Sequence, residues 1–113
     1  PVSIATPEAD WQTYAGLVQA DGFDLIGLTL LPRSDPTPAI DFETRRGTFN
    51  SHLVSGALTR DAVADVASAD EIGDDDDDLD LTYYHNDGVH LNTAGQLIEV
   101  PYIEAVLNTL GVS

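Results

Sequence analysis

The sequence contains no cysteine, no methionine and no lysine. Without cysteine, disulfides, zinc–thiolate centres and thiol catalysis are excluded, and the redox compartment stays open. Positive charge is nearly as scarce: four arginines face twenty Asp and Glu, for a formal net charge of −16. Such a surface repels phosphate backbones and anionic lipid, so it argues against nucleic acid and membrane surfaces as partners. It suits neutral or cationic ligands, divalent cations or a saline habitat, and it leans toward an extracellular or saline setting. No apolar run approaches the roughly 20 residues of a membrane span, and the N-terminus has no basic-then-apolar leader pattern. The lack of methionine fits a chain that begins partway through a longer protein.

What is present is enough for one domain. At 113 residues and 42% apolar, the chain can bury a real core and is not a disordered tract. Thr6-Pro7-Glu8 reads as N-cap, first-turn proline and first-turn acid, with Trp11, Tyr14, Ala15, Leu17 and Val18 following at helical spacing. Trp11 and Tyr14 are expected in the core, and Asp21-Gly22 is a stop. Residues 23–31 are nearly continuously apolar and too short for a typical helix, which predicts a strand buried on both faces. Residues 32–38 hold three prolines and must be loop. A loop at the carboxyl end of a parallel strand is where α/β proteins place ligand sites, so Arg33 is a candidate substrate contact; a solvated or salt-bridged arginine is the alternative.

Asp41 opens a second helix bearing Phe42, Phe49 and Leu53, with Arg45 and Arg46 straddling its faces. Residues 62–67 read as a second buried strand. Helix, strand, helix, strand with short connections argues an α/β fold with parallel strands. Residues 74–78 are five successive aspartates, expected to be solvated loop; they lack the alternating ligands, central Gly and closing Glu of an EF-hand. Asn92 or Thr93 caps a last helix carrying Leu97, Ile98, Tyr102, Ala105, Val106 and Leu110. Pro101 should kink or split it near Glu99-Val100, and Gly111 ends it.

The chemistry concentrates at residues 83–96. Asp87 precedes His90 by three residues in a Gly/Asn-containing turn, close enough for the carboxylate to reach the imidazole. A carboxylate on one ring nitrogen fixes the tautomer and leaves the other nitrogen free as a general base. Three explanations fit the pair: base and orienter of a serine hydrolase, part of a metal site spaced H-x-D-x-x-H with His85, or a structural histidine in a turn. The metal spacing matches none of the better-defined zinc patterns.

Asp87-Gly88-Val89-His90-Leu91-Asn92 followed by Ala94-Gly95, opening the last helix of an α/β chain, resembles the closing block of the SGNH/GDSL family of serine esterases and lipases. Leu28-Thr29-Leu30-Leu31-Pro32-Arg33 is similar to that family's penultimate-strand segment. Phe49-Asn50 with Leu53, then residues 62–67, follow in the family's order and spacing. The resemblance spans residues 11–110 and implies a flavodoxin-like three-layer fold with a mostly parallel sheet. It implies His90 as general base and Asp87 as its orienter, an acyl-ester substrate, and no metal or organic cofactor.

The family's other blocks are missing. No G-D-S nucleophile block occurs; Gly73-Asp74 is followed by Asp75, the glycine block is absent, and Asn86-Asp87 carries Tyr84 where the G-x-N-D block wants glycine. None of Ser3, Ser34, Ser51, Ser55, Ser68 or Ser113 sits in a nucleophile elbow. The chain therefore matches the C-terminal half of such a domain, with the serine expected from a missing N-terminal segment. A half domain exposes a sheet edge and an apolar helix face, so association with the missing half or with a second copy is expected. The alternatives are a catalytically inactive SGNH-like structural or binding domain, or an acidic calcium-binding module.

Overall fold

In a computed structural model that describes residues 5–34 and 41–112, the first helix, α1, spans Ala5–Ala20. It begins one residue before Thr6, so Thr6, Pro7 and Glu8 form its first turn and Thr6 does not cap it. One stripe of the helix faces inward: Glu8, Trp11, Ala15 and Val18, at the i, i+3/i+4 spacing of a single helical face. Trp11 meets Phe49 edge to face at 5.8 Å, and its Nε1–H donates to the Thr59 carbonyl at 2.8 Å. Tyr14 and Leu17 fall beside that stripe and are 57% and 64% exposed, so the expectation that Tyr14 packs in the core is corrected. Gly22 ends the helix at φ +85, where only glycine is unstrained, with the Phe23 N–H reaching back to the Val18 carbonyl.

Strand β1 is Ile26–Leu28 and strand β2 is Ala62–Ala64. They pair in parallel, Ile26 opposite Ala62 and Leu28 opposite Ala64. Between them runs α2, Phe42–Ser55, and after them α3, Thr93–Thr109, so the α/β reading with parallel strands stands. The strands are shorter than the sequence suggests. Phe23, Leu28 and Leu30 are exposed while Leu25, Gly27 and Thr29 are buried, so residues 23–31 do not form a strand covered on both faces. At the far end, Asp65 turns the chain. Its carboxylate accepts the Thr29 hydroxyl at 3.0 Å, Thr29 Oγ1 accepts the Ala67 N–H at 2.9 Å, and Val66–Ser68 winds into a 3₁₀ turn.

The two helices that follow the strands pack on opposite faces of the pair. Phe49, Leu53 and Leu58 gather with Trp11 and Val63 on one side. Val106 joins Ala64, Val66, Ile26 and Ala62 on the other, with Tyr102, Ile103 and Leu110 of α3 around it. Gly27 is matched to its neighbour, because a Cβ there would stand 2.8 Å from Leu53 Cδ1. Arg46, nearly buried on α2, forks onto Glu43 and donates to the carbonyls of Leu30 (3.0 Å) and Gly73 (3.1 Å). It thereby joins α2 to the chain after β1 and to the start of the acidic run.

Asn92 caps α3, its Oδ1 accepting the Gly95 N–H at 3.0 Å. The helix runs through Pro101 without being split. Pro101 lies on the exposed side, where solvent can supply the donor that the Leu97 carbonyl loses. Leu97 is itself 64% exposed, and the inward stripe is Ile98, Tyr102 and Val106. No helix among the described residues is long and apolar enough to cross a membrane. The prolines at 36 and 38 lie outside the described residues, as do Ser3 and Ser113.

Candidate active site

The Asp87/His90 segment is a closed loop whose two stems meet at an antiparallel bridge between Tyr84 and Leu91. The His85 N–H donates to the His90 carbonyl at 2.8 Å, and the Asn92 N–H donates to the Tyr83 carbonyl at 2.9 Å. Its footing is firm. Tyr84 is 1% exposed, and its hydroxyl donates to the Ile72 carbonyl at 2.6 Å. Burial, then the nearby Asp78 and Asp77 charges, push that phenol well above the ordinary tyrosine value, so it remains a donor. Asn92, besides capping α3, gives its amide N–H groups to the carbonyls of Leu81 (3.2 Å) and Thr82 (3.1 Å).

Within the loop, Gly88 takes φ +70 and lets the chain reverse between the two key residues. Asp87 Oδ1 accepts the N–H groups of Val89 (2.9 Å) and His90 (3.0 Å), an Asx-type turn. The other oxygen, Oδ2, stands 2.5 Å from His90 Nδ1. The side-chain bond to His90, followed by the two backbone N–H groups, holds the Asp87 carboxyl well below the usual carboxylate range. An ionised acceptor at that distance assigns the proton to Nδ1 and leaves Nε2 as the acceptor nitrogen. Both side chains are substantially exposed, 45% for Asp87 and 75% for His90, so the pair is available to a reactant.

Two cavities flank this turn. The one beside His90 has a volume of about 580 Å³ and is lined by Leu31, Val89, Leu91, Gln96 and Glu99 together with His85 and Asp87. The other, about 460 Å³, lies between Ser34, Asp78, Leu79 and Leu81 and the His85–Gly88 side of the turn. Arg33 lines neither; its guanidinium sits 6.0 Å from the centre of the Phe42 ring. Among the described residues no serine hydroxyl is hydrogen-bonded to His90, and no group of three His, Asp or Glu side chains is arranged to hold a metal ion.

Sequence reasoning missed two carboxylates here. Asp78 belongs to a run expected to be wholly solvated, yet it is 2% exposed and accepts the Ser34 hydroxyl. The correction has a physical reason: Asp77–Leu79 forms a 3₁₀ turn, tied by the Asp74 N–H to the Asp77 carboxylate at 2.8 Å, which directs Asp78 inward while Asp74, Asp75 and Asp76 stay exposed. Glu99 lines the His90 cavity from α3, and partial burial raises its carboxyl above the ordinary glutamate value. Its place nine residues after His90, on the inward side of the helix, is a signal that helical periodicity alone could have supplied.

A raised carboxyl pKa means that the fold disfavours the charged form. Glu99 therefore costs stability once pH rises above the unfolded glutamate value of about 4.3. Glu99→Gln is expected to raise the melting temperature at pH 7 by about 2 °C, a small gain because the group is partly solvated. The gain should disappear below about pH 4, where glutamate is neutral in both states. Thermal unfolding at the two pH values checks it.

Compared with protein-family models, with curated proteins and with solved structures, the chain finds no match.

Proposed function

We propose that this chain is the C-terminal portion of an SGNH/GDSL-type serine hydrolase that cleaves acyl esters. The observation that carries the reading is the 2.5 Å contact between Asp87 Oδ2 and His90 Nδ1, held in a turn that runs directly into the capped start of α3. The D-x-x-H-L-N-x-x-G pattern from Asp87 to Gly95 supports it from the sequence side, as does the finer fold that goes with it. Helices on opposite faces of a parallel pair are compatible with a flavodoxin-like three-layer domain of which this is one half.

In this reading the nucleophile is a serine from an N-terminal segment on another chain or another part of the same one. Its hydroxyl attacks the acyl carbonyl while His90 Nε2 takes the proton; Asp87 stabilises the imidazolium, which then protonates the leaving alcohol. Water repeats the cycle on the acyl-enzyme. No step needs a metal or an organic cofactor. The partners are the missing half or a second copy of the chain, and the substrate is an acyl ester.

The test is the intact mass and partner content of native material, followed by hydrolysis of a short-chain aryl ester. A co-purifying segment bearing a G-D-S serine, with esterase activity in the complex, supports the assignment. A folded, inert 12.1 kDa chain that binds no such segment favours the second reading, an inactive SGNH-like binding or structural domain. That reading rests on the lack of a serine against His90 among the described residues.

A further inference from the structure

We infer that Ser34 and Asp78 are positioning residues that hold the Asp87–His90 turn in place. As a statement about catalysis this rests on the hydrolase reading above; as a statement about geometry it stands without it.

Residues 85–90 are tied to one another by the His85–His90 backbone bond and by the carboxylate of Asp87. The bridge between Tyr84 and Leu91 holds the stems and these internal bonds shape the turn, but a loop this short and this exposed keeps them fully formed only where its tip is also anchored. Among the described residues, the hydrogen bond that leaves this segment for a distant part of the chain is from the Ser34 N–H to the Gly88 carbonyl, at 3.0 Å. Gly88 lies between Asp87 and His90. The approach is close, since a Cβ on Gly88 would stand 3.3 Å from Ser34 Oγ.

Ser34 is in turn held from the other side, its hydroxyl donating to Asp78 Oδ2. A carboxylate withdrawn from water is costly unless it is hydrogen-bonded. Asp78 is 2% exposed in a run whose other members are open to solvent or half-buried. Burying one aspartate of five beneath an otherwise exposed serine gives Ser34 a strong, directional acceptor. The serine is then the middle of a relay from the acidic run, through the chain after β1, to the turn that carries the base.

The test compares Ser34→Ala, Ser34→Thr and the double variant Ser34→Ala/Asp78→Ala by NMR, following the Asp87 carboxyl titration and the exchange of the Val89 and His90 amides. In Ser34→Ala the Asp87 midpoint should rise toward the ordinary aspartate value of about 3.9, with both amides exchanging faster. Ser34→Thr, which keeps the hydroxyl, should restore both. Ser34→Ala also strands a buried carboxylate and lowers stability, whereas the double variant removes both partners and should recover it. The discriminating result is that stability recovers in the double variant while the Asp87 titration stays displaced. If the Asp87 titration returns with stability, or does not move in folded Ser34→Ala, the positioning role is overturned; if Ser34→Ala does not fold, the double variant decides.

In an active assembly Ser34→Ala should lower kcat about 100-fold with KM little changed, the signature of a displaced base. An assembly that never hydrolyses ester sinks the hydrolase reading, and the titration still decides the relay.

Discussion

His90→Ala, in an assembly that supplies the serine, is expected to abolish ester hydrolysis, lowering kcat by about four to six orders of magnitude while leaving substrate binding nearly intact. No other imidazole in the described site is poised as His90 is: His85 is exposed and, among the described residues, has no carboxylate hydrogen-bonded to its ring. Asp87→Asn should be the instructive companion. An amide in place of the carboxylate can present its N–H groups to Nδ1, which favours the wrong imidazole tautomer and places the proton on Nε2, at a loss of about 10⁴-fold. The Asp87 carboxyl is held below its usual range. A depressed carboxylate contributes stability that is present above the ordinary aspartate value and is lost only as pH falls toward the lowered one. Asp87 therefore stays ionised through the mildly acidic range, so the acid limb of the wild-type pH–rate profile is not set by protonation of Asp87. Steady-state kinetics across pH on wild type, His90→Ala and Asp87→Asn check all three statements. An active His90→Ala assembly would refute His90 as base.

Local chemistry made this turn legible. An Asp, a Gly and a His within four residues, followed by an asparagine that can cap a helix, fix most of the geometry through bonds that span three residues or fewer. The glycine stops at Gly22 and Gly111, both at positive φ, were readable for the same reason. What could not be read depends on contacts between distant segments. The Ser34–Asp78 bond joins residues 44 apart, and no spacing rule picks one aspartate of five to be buried. The outward turn of Tyr14 depends on where α2 lies against α1, through Trp11 and Phe49. The strands are short because Thr29 and Asp65 divert the chain just beyond the paired residues, an interaction across 36 positions. Apolar composition marks where a strand can be; tertiary hydrogen bonds decide where it stops.

Gly95→Ala should be among the most destabilising single-methyl changes in the chain, although helix propensity argues the reverse. Inside a helix, alanine is favoured over glycine by about 1 kcal/mol. Gly95, however, is buried in the first turn of α3 beneath the loop that precedes it, where an added Cβ would overlap the Tyr83 carbonyl oxygen and stand 2.8 Å from Leu91 Cδ2. The leucine can rotate away and the carbonyl cannot. That carbonyl accepts the Asn92 N–H at 2.9 Å, and the Gly95 N–H is itself held by Asn92 Oδ1, so any shift that relieves the overlap breaks the cap. Overpacking against fixed backbone costs about 2–3 kcal/mol, more than the propensity gain, so the melting temperature should fall by roughly 10 °C. Gly16→Ala and Gly47→Ala are the matched controls. Both lie within helices with nothing inside 4 Å of the new methyl, and each should be neutral or stabilising by up to about 1 kcal/mol. Gly95→Ala should also disturb the site, because Leu91 forms, and Tyr83 adjoins, the bridge that closes the Asp87–His90 loop. A thermal shift without change in the His90 environment would mean that the loop is independent of the helix start. Loss of both together would place the capped N-terminus of α3 among the elements that set the base.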